Sequence, residues 1–295
     1  MRIVVALGGN ALLRRGEEPS VDAQRANVEA AAAALAPLAA AHELVLTHGN
    51  GPQVGLLALQ ADSGRDVAPT PLDVLGAESE GMIGYLLVQA LGNRLPGRRI
   101  ASVLTQVAVD PGDPAFLAPA KPIGPVYREV RARQLAATRG WTIAADGDWF
   151  RRVVPSPEPL EIVEVETVLA LLAAGVLPVC AGGGGIPVRR NGDGELRGVE
   201  AVIDKDLAAE LLARSVGAER LLLLTDVSAV EWDGRPLRRA TPAELRGLSF
   251  PAGSMGPKVE AACRFAERTG GVAAIGALGE AVAIVAGEAG TIVSV

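Results

Sequence analysis

The chain has 295 residues, 49% of them hydrophobic and only 3% aromatic, with 28 basic and 34 acidic side chains and a formal charge of −6. That length holds one large α/β domain or two smaller ones, with a core of Val, Leu, Ile and Ala. The acidic balance argues against nucleic acid and anionic membrane as main partners, two histidines exclude a His-rich metal site, and no apolar segment is long enough to span a membrane.

Residues 3–7 form an uninterrupted apolar run, which predicts a buried parallel strand closing on Gly8-Gly9-Asn10. Ser20 caps a predicted alanine-rich helix reaching about residue 41. A second strand, 44–47, ends in His48-Gly49-Asn50-Gly51-Pro52, and helices follow over 53–61 and 72–91. The second helix carries Ile83, Leu86, Leu87, Ala90 and Leu91 on one face, either as core or as a dimer contact. A third strand is expected over 100–105. Between residues 111 and 159 eight prolines bracket two of the three tryptophans, and this stretch reads as an inserted lobe. Strand–helix alternation then resumes: a helix over 165–174, a strand over 176–181 ending in Gly182 to Gly185, and a polar turn at 191–194. A helix over 207–215 follows, then a strand ending in Thr225-Asp226 and a hairpin at Trp232-Asp233-Gly234-Arg235. Thr241-Pro-Ala-Glu244 is a capping signature. Pro257 opens a further helix, and strands over 272–275 and 291–295 close the chain. The pattern implies a single α/β domain, a mainly parallel open sheet between helical layers, with ligands at the carboxyl ends of the strands.

Four strand ends carry glycine-rich or polar loops: Gly8-Gly9-Asn10, Gly49-Asn50-Gly51, Gly182 to Gly185, and Thr225-Asp226. Glycine lets backbone amides approach an anion closely. No Gly-x-x-x-x-Gly-Lys-Ser/Thr occurs, and Gly49-Asn-Gly-Pro-Gln-Val-Gly55 misses the dinucleotide fingerprint by one residue. No Gly-x-Ser-x-Gly elbow is present. His48 reads equally as a ligand-orienting or a structural residue. The two cysteines, Cys180 and Cys263, match no metal spacing and read as reduced core residues of a cytoplasmic protein.

Arginine carries nearly all the positive charge, and the chain has only three lysines: Lys121, Lys205 and Lys258. Lys205 and Lys258 stand at predicted helix starts, where a cation opposes the helix dipole unless an anion sits there too. Lys121 lies in the lobe. Three compact charges converging on one place suit phosphoryl transfer, which asks a protein chiefly to align oxygens and neutralise charge. Asp206 would hold the ammonium groups in place, with Asp204 only capping the helix.

These residues fall in motifs that resemble carbamate kinases of the amino-acid-kinase superfamily, over nearly the whole chain. The motifs are Val5-Ala-Leu-Gly-Gly-Asn-Ala11, Thr47-His-Gly-Asn-Gly-Pro-Gln-Val-Gly55, Leu104-Thr-Gln-Val107 and Lys121-Pro-Ile-Gly-Pro125. They continue with Arg151-Arg-Val-Val-Pro-Ser-Pro157, Cys180-Ala-Gly-Gly-Gly-Gly-Ile-Pro187, Gly198-Val-Glu-Ala-Val-Ile-Asp-Lys-Asp206 and Pro251-Ala-Gly-Ser-Met-Gly-Pro-Lys258. The resemblance implies an αβα sandwich and a homodimer. It implies reversible transfer of the ATP γ-phosphoryl group to carbamate, giving carbamoyl phosphate and ADP, with Mg2+ riding on the nucleotide.

By the same resemblance, Lys121, Lys205 and Lys258 would surround the moving group and Asp206 would orient them. Gly8, Gly9, Asn10, Asn50 and Gly51 would bind carbamate, in the N-terminal part. Thr225, Asp226, Gly253, Ser254 and Met255, with Lys205 and Lys258, would line the nucleotide site, in a C-terminal part of about 176–295. Ala6 stands where other superfamily kinases carry a lysine, a charge that Lys121 would replace from the lobe. Two positions depart from the family pattern: Gly147-Asp148-Trp149-Phe150, where Gly-Arg-Gly-aromatic is usual, and Ser228, where an acid is common. The lobe change leaves a sister kinase for another small acid or phosphonate as the alternative, and a catalytically silent nucleotide sensor as a reading of another class.

Overall fold

A strand buried on both faces must send alternate side chains into two different cores, and the computed structural model of the chain shows this division residue by residue. Val4, Ala6, Val45, Leu221, Leu223, Ala273 and Ile275 enter one cluster. Their neighbours Ile3, Val5, Leu7, Leu44, Leu46, Leu222, Leu224 and Ala274 enter the other. The period-two alternation of a strand therefore feeds a helical layer on each side. The structure describes residues 1–13, 17, 20–61, 70–250 and 255–295, apart from the side chains of Asn10, Ala11 and Ala61.

In chain order the first elements are β1 (Arg2–Leu7), α1 (Gly9–Leu12), α2 (Val21–Ala41), β2 (Glu43–His48), α3 (Gly51–Ala61), α4 (Leu72–Arg94), β3 (Ile100–Ser102) and β4 (Gln106–Val109). Then come β5 (Lys121–Tyr127), α5 (Glu129–Arg139), β6 (Thr142–Asp146), β7 (Trp149–Val154), β8 (Pro159–Ile162), α6 (Val165–Ala173), β9 (Leu177–Val179), β10 (Ile186–Arg190) and β11 (Leu196–Gly198). The last are α7 (Lys205–Ser215), β12 (Arg220–Thr225), β13 (Val230–Trp232), β14 (Arg235–Leu237), β15 (Arg239–Ala240), α8 (Pro242–Arg246), α9 (Met255–Thr269), β16 (Val272–Ala277), α10 (Ala281–Ala286) and β17 (Thr291–Val293).

The main sheet has eight strands in the order β15-β17-β16-β12-β1-β2-β9-β3. All its pairings are parallel except β16 with β17. Helices α2, α4 and α10 cover one face, and α6, α7, α8 and α9 the other, so the molecule is a three-layer αβα sandwich. A four-stranded sheet, β11-β10-β4-β8, and a three-stranded antiparallel sheet, β5-β7-β6, stand outside it.

Most predicted elements are present. Ser20 and Thr241 cap α2 and α8, the latter as a full capping box. The predicted strand 100–105 ends early. β3 stops at Ser102, Leu104 turns outward with 52% exposure, and Gln106 begins β4 in another sheet. The chain needs the break because it changes sheets there. Ile83, Leu86, Leu87, Ala90 and Leu91 of α4 are all buried in the chain's own core, so that face is no dimer contact.

The three-stranded sheet is docked against α3 by a contact between two backbones. A Cβ built on Gly55 would lie 2.1 Å from Gly124 Cα and 2.3 Å from Gly124 N, and Gly124 itself has φ +70°. Gly55 has no room for a side chain, and the left-handed backbone of Gly124 favours glycine. Gly55→Ala should push β5 away and cost about 1–3 kcal/mol of stability. A lower urea midpoint and faster tryptic cleavage at the exposed arginines of α5 would show it; an unchanged midpoint would mean that the contact is dispensable.

Candidate active site

β12, β1, β2 and β9 are consecutive in the sheet, so the four polar loops predicted at strand ends lie side by side. Two backbone bonds tie them: Gly8 N donates to Leu224 O at 2.9 Å, and Gly49 N donates to Leu7 O at 2.8 Å. The loop after β9 is the tightest. Ala181, Gly183, Gly184 and Gly185 have φ of 51°, 70°, 100° and 82°. Ala181 tolerates its left-handed backbone because it is gripped on both sides. Thr47 Oγ1 donates to its carbonyl at 2.8 Å, and its N–H donates to Thr105 Oγ1 at 2.9 Å. The following glycines press on other parts of the site. A Cβ on Gly183 would meet Asn50 Nδ2 at 2.1 Å, and one on Gly184 would meet Ile203 O at 2.5 Å.

All three lysines converge at the start of α7. Asp204 is the N-cap, its Oδ1 accepting from Asp206 N at 2.9 Å and Leu207 N at 3.4 Å. Its Oδ2 accepts from Lys121 Nζ. Asp206 takes two ammonium groups, Lys205 on Oδ1 at 2.5 Å and Lys258 on Oδ2 at 3.2 Å. The expectation that Asp204 only caps the helix is thus corrected: the same carboxylate caps and pairs with Lys121. A side chain one residue before the helix has one oxygen for the free amides and one to spare. The spacing shows the first role and hides the second, because Lys121 is 83 residues away.

Burial by itself would raise the Asp204 carboxyl; the Lys121 and Lys205 charges outweigh it and hold the group at about 2. Burial, then the neighbouring Lys205 charge, lowers Lys258 below the usual amine range. Three ammonium groups thus gather on two carboxylates at the start of α7, a concentration of positive charge that suits an anion.

Asn50 is buried and donates through Nδ2 to Ser79 Oγ at 2.8 Å, and Ser79 in turn donates to Gly76 O at 2.9 Å. Gly8 and Gly9 follow β1, and Gly51 opens α3. Thr225 ends β12 and donates through Oγ1 to Asp226 Oδ1 at 3.0 Å. Met255 opens α9, three residues before Lys258, and packs on the core. The side chain of Asn10, and Gly253 and Ser254, lie outside the described residues. His48 is fully buried. Burial lowers its ring to about 4, and its Nδ1 lies 3.2 Å from Gly49 O. It stands beneath the loops as a neutral structural ring.

Two buried residues of α4, Ser79 and Glu80, were not singled out by sequence reasoning. Glu80 accepts from Gly182 N at 2.9 Å and Thr105 N at 3.2 Å. Burial pushes its carboxyl up to about 8. The available signal was a polar Ser-Glu pair on the apolar side of a long helix.

Asp148 sits in the exposed turn between β6 and β7. Val154, at the other end of β7, is the residue that faces Lys121, which puts Asp148 about 20 Å from that lysine along the strand. Nothing in the structure explains Ser228. Among the described residues no group of three or more His, Cys, Asp or Glu side chains gathers for a metal, and no helix is long and apolar enough to cross a membrane.

A profile of the amino acid kinase family matches residues 1–276. A carbamate kinase of Rhizobium meliloti is 54% identical over 303 residues, spanning 100% of this chain and 93% of the relative. The solved carbamate kinase of Giardia lamblia bound to citric acid superposes with a TM-score of 0.94 at 42% identity, covering 99% of this chain and 98% of that one. The same enzyme bound to AMP-PNP gives a TM-score of 0.90 at 42% identity and the same coverage.

The buried acid and the buried imidazole give a definite pH dependence. A lowered ring contributes stability that is present above 6.5 and lost as pH falls through about 4. A raised carboxyl contributes stability that is present below 4.5 and lost as pH rises through about 8. The two oppose each other between pH 4.5 and 6.5, and only Glu80 acts above 6.5. The fall in urea midpoint from pH 6.5 to pH 8 should therefore be larger in the natural chain than in Glu80→Gln. An equal change in both chains would assign the effect elsewhere.

Proposed function

The chain belongs to the amino acid kinase family, and from that premise we propose that it is a carbamate kinase: it transfers the γ-phosphoryl group of ATP reversibly to carbamate, giving carbamoyl phosphate and ADP. The observation that carries the reading is the lysine–aspartate cluster at the start of α7, where three ammonium groups meet beside the loops after β2 and β9, with Lys205 against Gly49 and Gly184 against Ile203. The full-length identity to carbamate kinases supports the choice of acceptor.

A carbamate oxygen is already anionic, so attack on phosphorus needs no base to remove a proton. One O–P bond forms as the bond to the ADP oxygen breaks, and negative charge shifts between the two ends. Lys121, on β5, would meet the carbamate side; Lys258, at the start of α9, would meet the nucleotide side; Lys205 would lie between them. Asp206 fixes the last two, and Asp204 fixes the first. Amides of Gly8, Gly9 and Gly51, with Asn10 and Asn50, would hold carbamate and the moving phosphoryl. Thr225, Asp226, Gly253, Ser254 and Met255 would line the nucleotide pocket.

Mg2+ enters as part of the nucleotide substrate. Both Asp206 oxygens are already taken by lysines, which suits a metal carried by phosphates. Residues of about 111–159 would act as a lobe that brings Lys121 to the site. The remoteness of Asp148 gives a different acid no support. The buried free cysteines suit a cytoplasmic enzyme.

A homodimer has a suitable surface. α4 shows Val74 and Tyr85 outward at 43% and 52% exposure, and Leu104 approaches Gly81 on the same side. Sedimentation should give twice the chain mass, and Tyr85→Arg should shift it towards the monomer; an unshifted mass would move the interface elsewhere.

Purified protein given carbamoyl phosphate and MgADP should form ATP, read by luciferase; well-folded protein that forms none sinks the assignment. Lys121→Ala should lower kcat on the order of 10²-fold or more while MgADP binding, measured by calorimetry, stays near the natural value. An unchanged rate removes Lys121 from the reaction.

A further inference from the structure

The tetraglycine loop touches both halves of the phosphoryl-transfer machinery, and one buried side chain holds it. Gly183 packs on Asn50, and Gly184 packs on the carbonyl of Ile203, the residue before Asp204. A displacement of this loop would therefore move a substrate donor and the cap of α7 together. Gly182, at the loop's root, is seated between two buried groups. A Cβ there would lie 2.3 Å from His48 Nε2 and 3.0 Å from Glu80 Cγ. The Gly182 N–H donates to Glu80 Oε1 at 2.9 Å. The other Glu80 oxygen accepts from Thr105 N at 3.2 Å, and Thr105 Oγ1 accepts from the N–H of strained Ala181.

We propose that Glu80 is a positioning residue of the reaction, its two carboxyl oxygens clamping Gly182 and Thr105 so that the tetraglycine loop backs Asn50 and Asp204. The proposal rests on the carbamate kinase reading for the step that it serves. Its neighbour Ser79 acts in the same direction by holding Asn50 directly. One turn of α4 thus supports both the loop and the amide that the loop presses on. Burial favours the neutral acid form of Glu80 at neutral pH, so the clamp adds little negative charge beneath a site whose work is to attract anions. Glutamine keeps one of the two acceptor oxygens at comparable size and without charge.

The loop follows β9, whereas the proposed nucleotide residues Thr225 and Asp226 follow β12, on the far side of β1 and β2 in the sheet. The clamp should therefore act on turnover more than on nucleotide affinity. Glu80→Leu removes both acceptors and leaves two buried amides unpaired; Glu80→Gln keeps one acceptor. Two measurements are made on each: kcat and KM for MgADP with carbamoyl phosphate, corrected to folded protein, and hydrogen exchange of the peptide spanning residues 180–186. Glu80→Leu should lose kcat on the order of 10²-fold, as misplaced groups do, with KM for MgADP within about twofold of natural and with faster loop exchange. Glu80→Gln should recover most of kcat and slow the exchange again. Natural kcat in Glu80→Leu, or loop exchange unchanged from natural, overturns the proposal. If the natural chain itself forms no ATP, the carbamate reading fails, and the exchange measurement still decides whether Glu80 holds the loop.

Discussion

Three like charges within reach of one another are unstable unless something separates and pairs them, and much of the site's construction answers that constraint. Asp204 and Asp206 sit on either side of Lys205, at the cap and in the first turn of α7. The backbone fixes their spacing before any lysine arrives. Lys121 is then brought in by a strand of the outer sheet and Lys258 by the start of α9. Each ammonium group meets a carboxylate oxygen that is already oriented. Because α7 packs in the core through Ala208, Leu211 and Leu212, the charges are anchored to a helix with a buried face. The unfavourable electrostatics at the helix start are offset by burial a turn away.

Much of this was legible in the sequence, for physical reasons. Strands buried on both faces must be continuously apolar, so the parallel sheet announced itself. Once the sheet was parallel, the loops after its strands had to share an edge. The scarcity of lysine made three positions conspicuous. What stayed hidden depends on pairings across long separations. The Asp204–Lys121 contact joins residues that no local pattern relates. Glu80 looked like one more charged position on a long helix, and only the fold shows that it points at Gly182. The split between β3 and β4 was hidden for a similar reason: residues 100–109 are strand-like throughout, and a change of sheet leaves no mark in an apolar run.

Helix α4 illustrates how one element can meet two demands. Its apolar face, from Ile83 to Leu91, builds the core. One turn nearer its start, Ser79 and Glu80 are equally buried but polar, and each is satisfied by a hydrogen bond to the loops. Buried polar groups of this kind specify a unique arrangement, since any slip leaves a donor or acceptor unpaired in a place that water does not reach. The strained backbone at Ala181 is retained in the same way, by hydroxyl groups from two different strand ends.

Outside the site the positive side-chain charge is carried by arginine, and all three lysines lie in one cluster. Side-chain primary amines are therefore confined to the site. Among side-chain amines, a reagent that acylates or carbamoylates them can act only there. Lys258 has its proton affinity reduced by burial and by Lys205, which enriches the free-base form that such electrophiles require. The guanidinium groups that carry positive charge elsewhere stay protonated and are poor nucleophiles. The chain's covalent vulnerability and its chemistry thus coincide at one point.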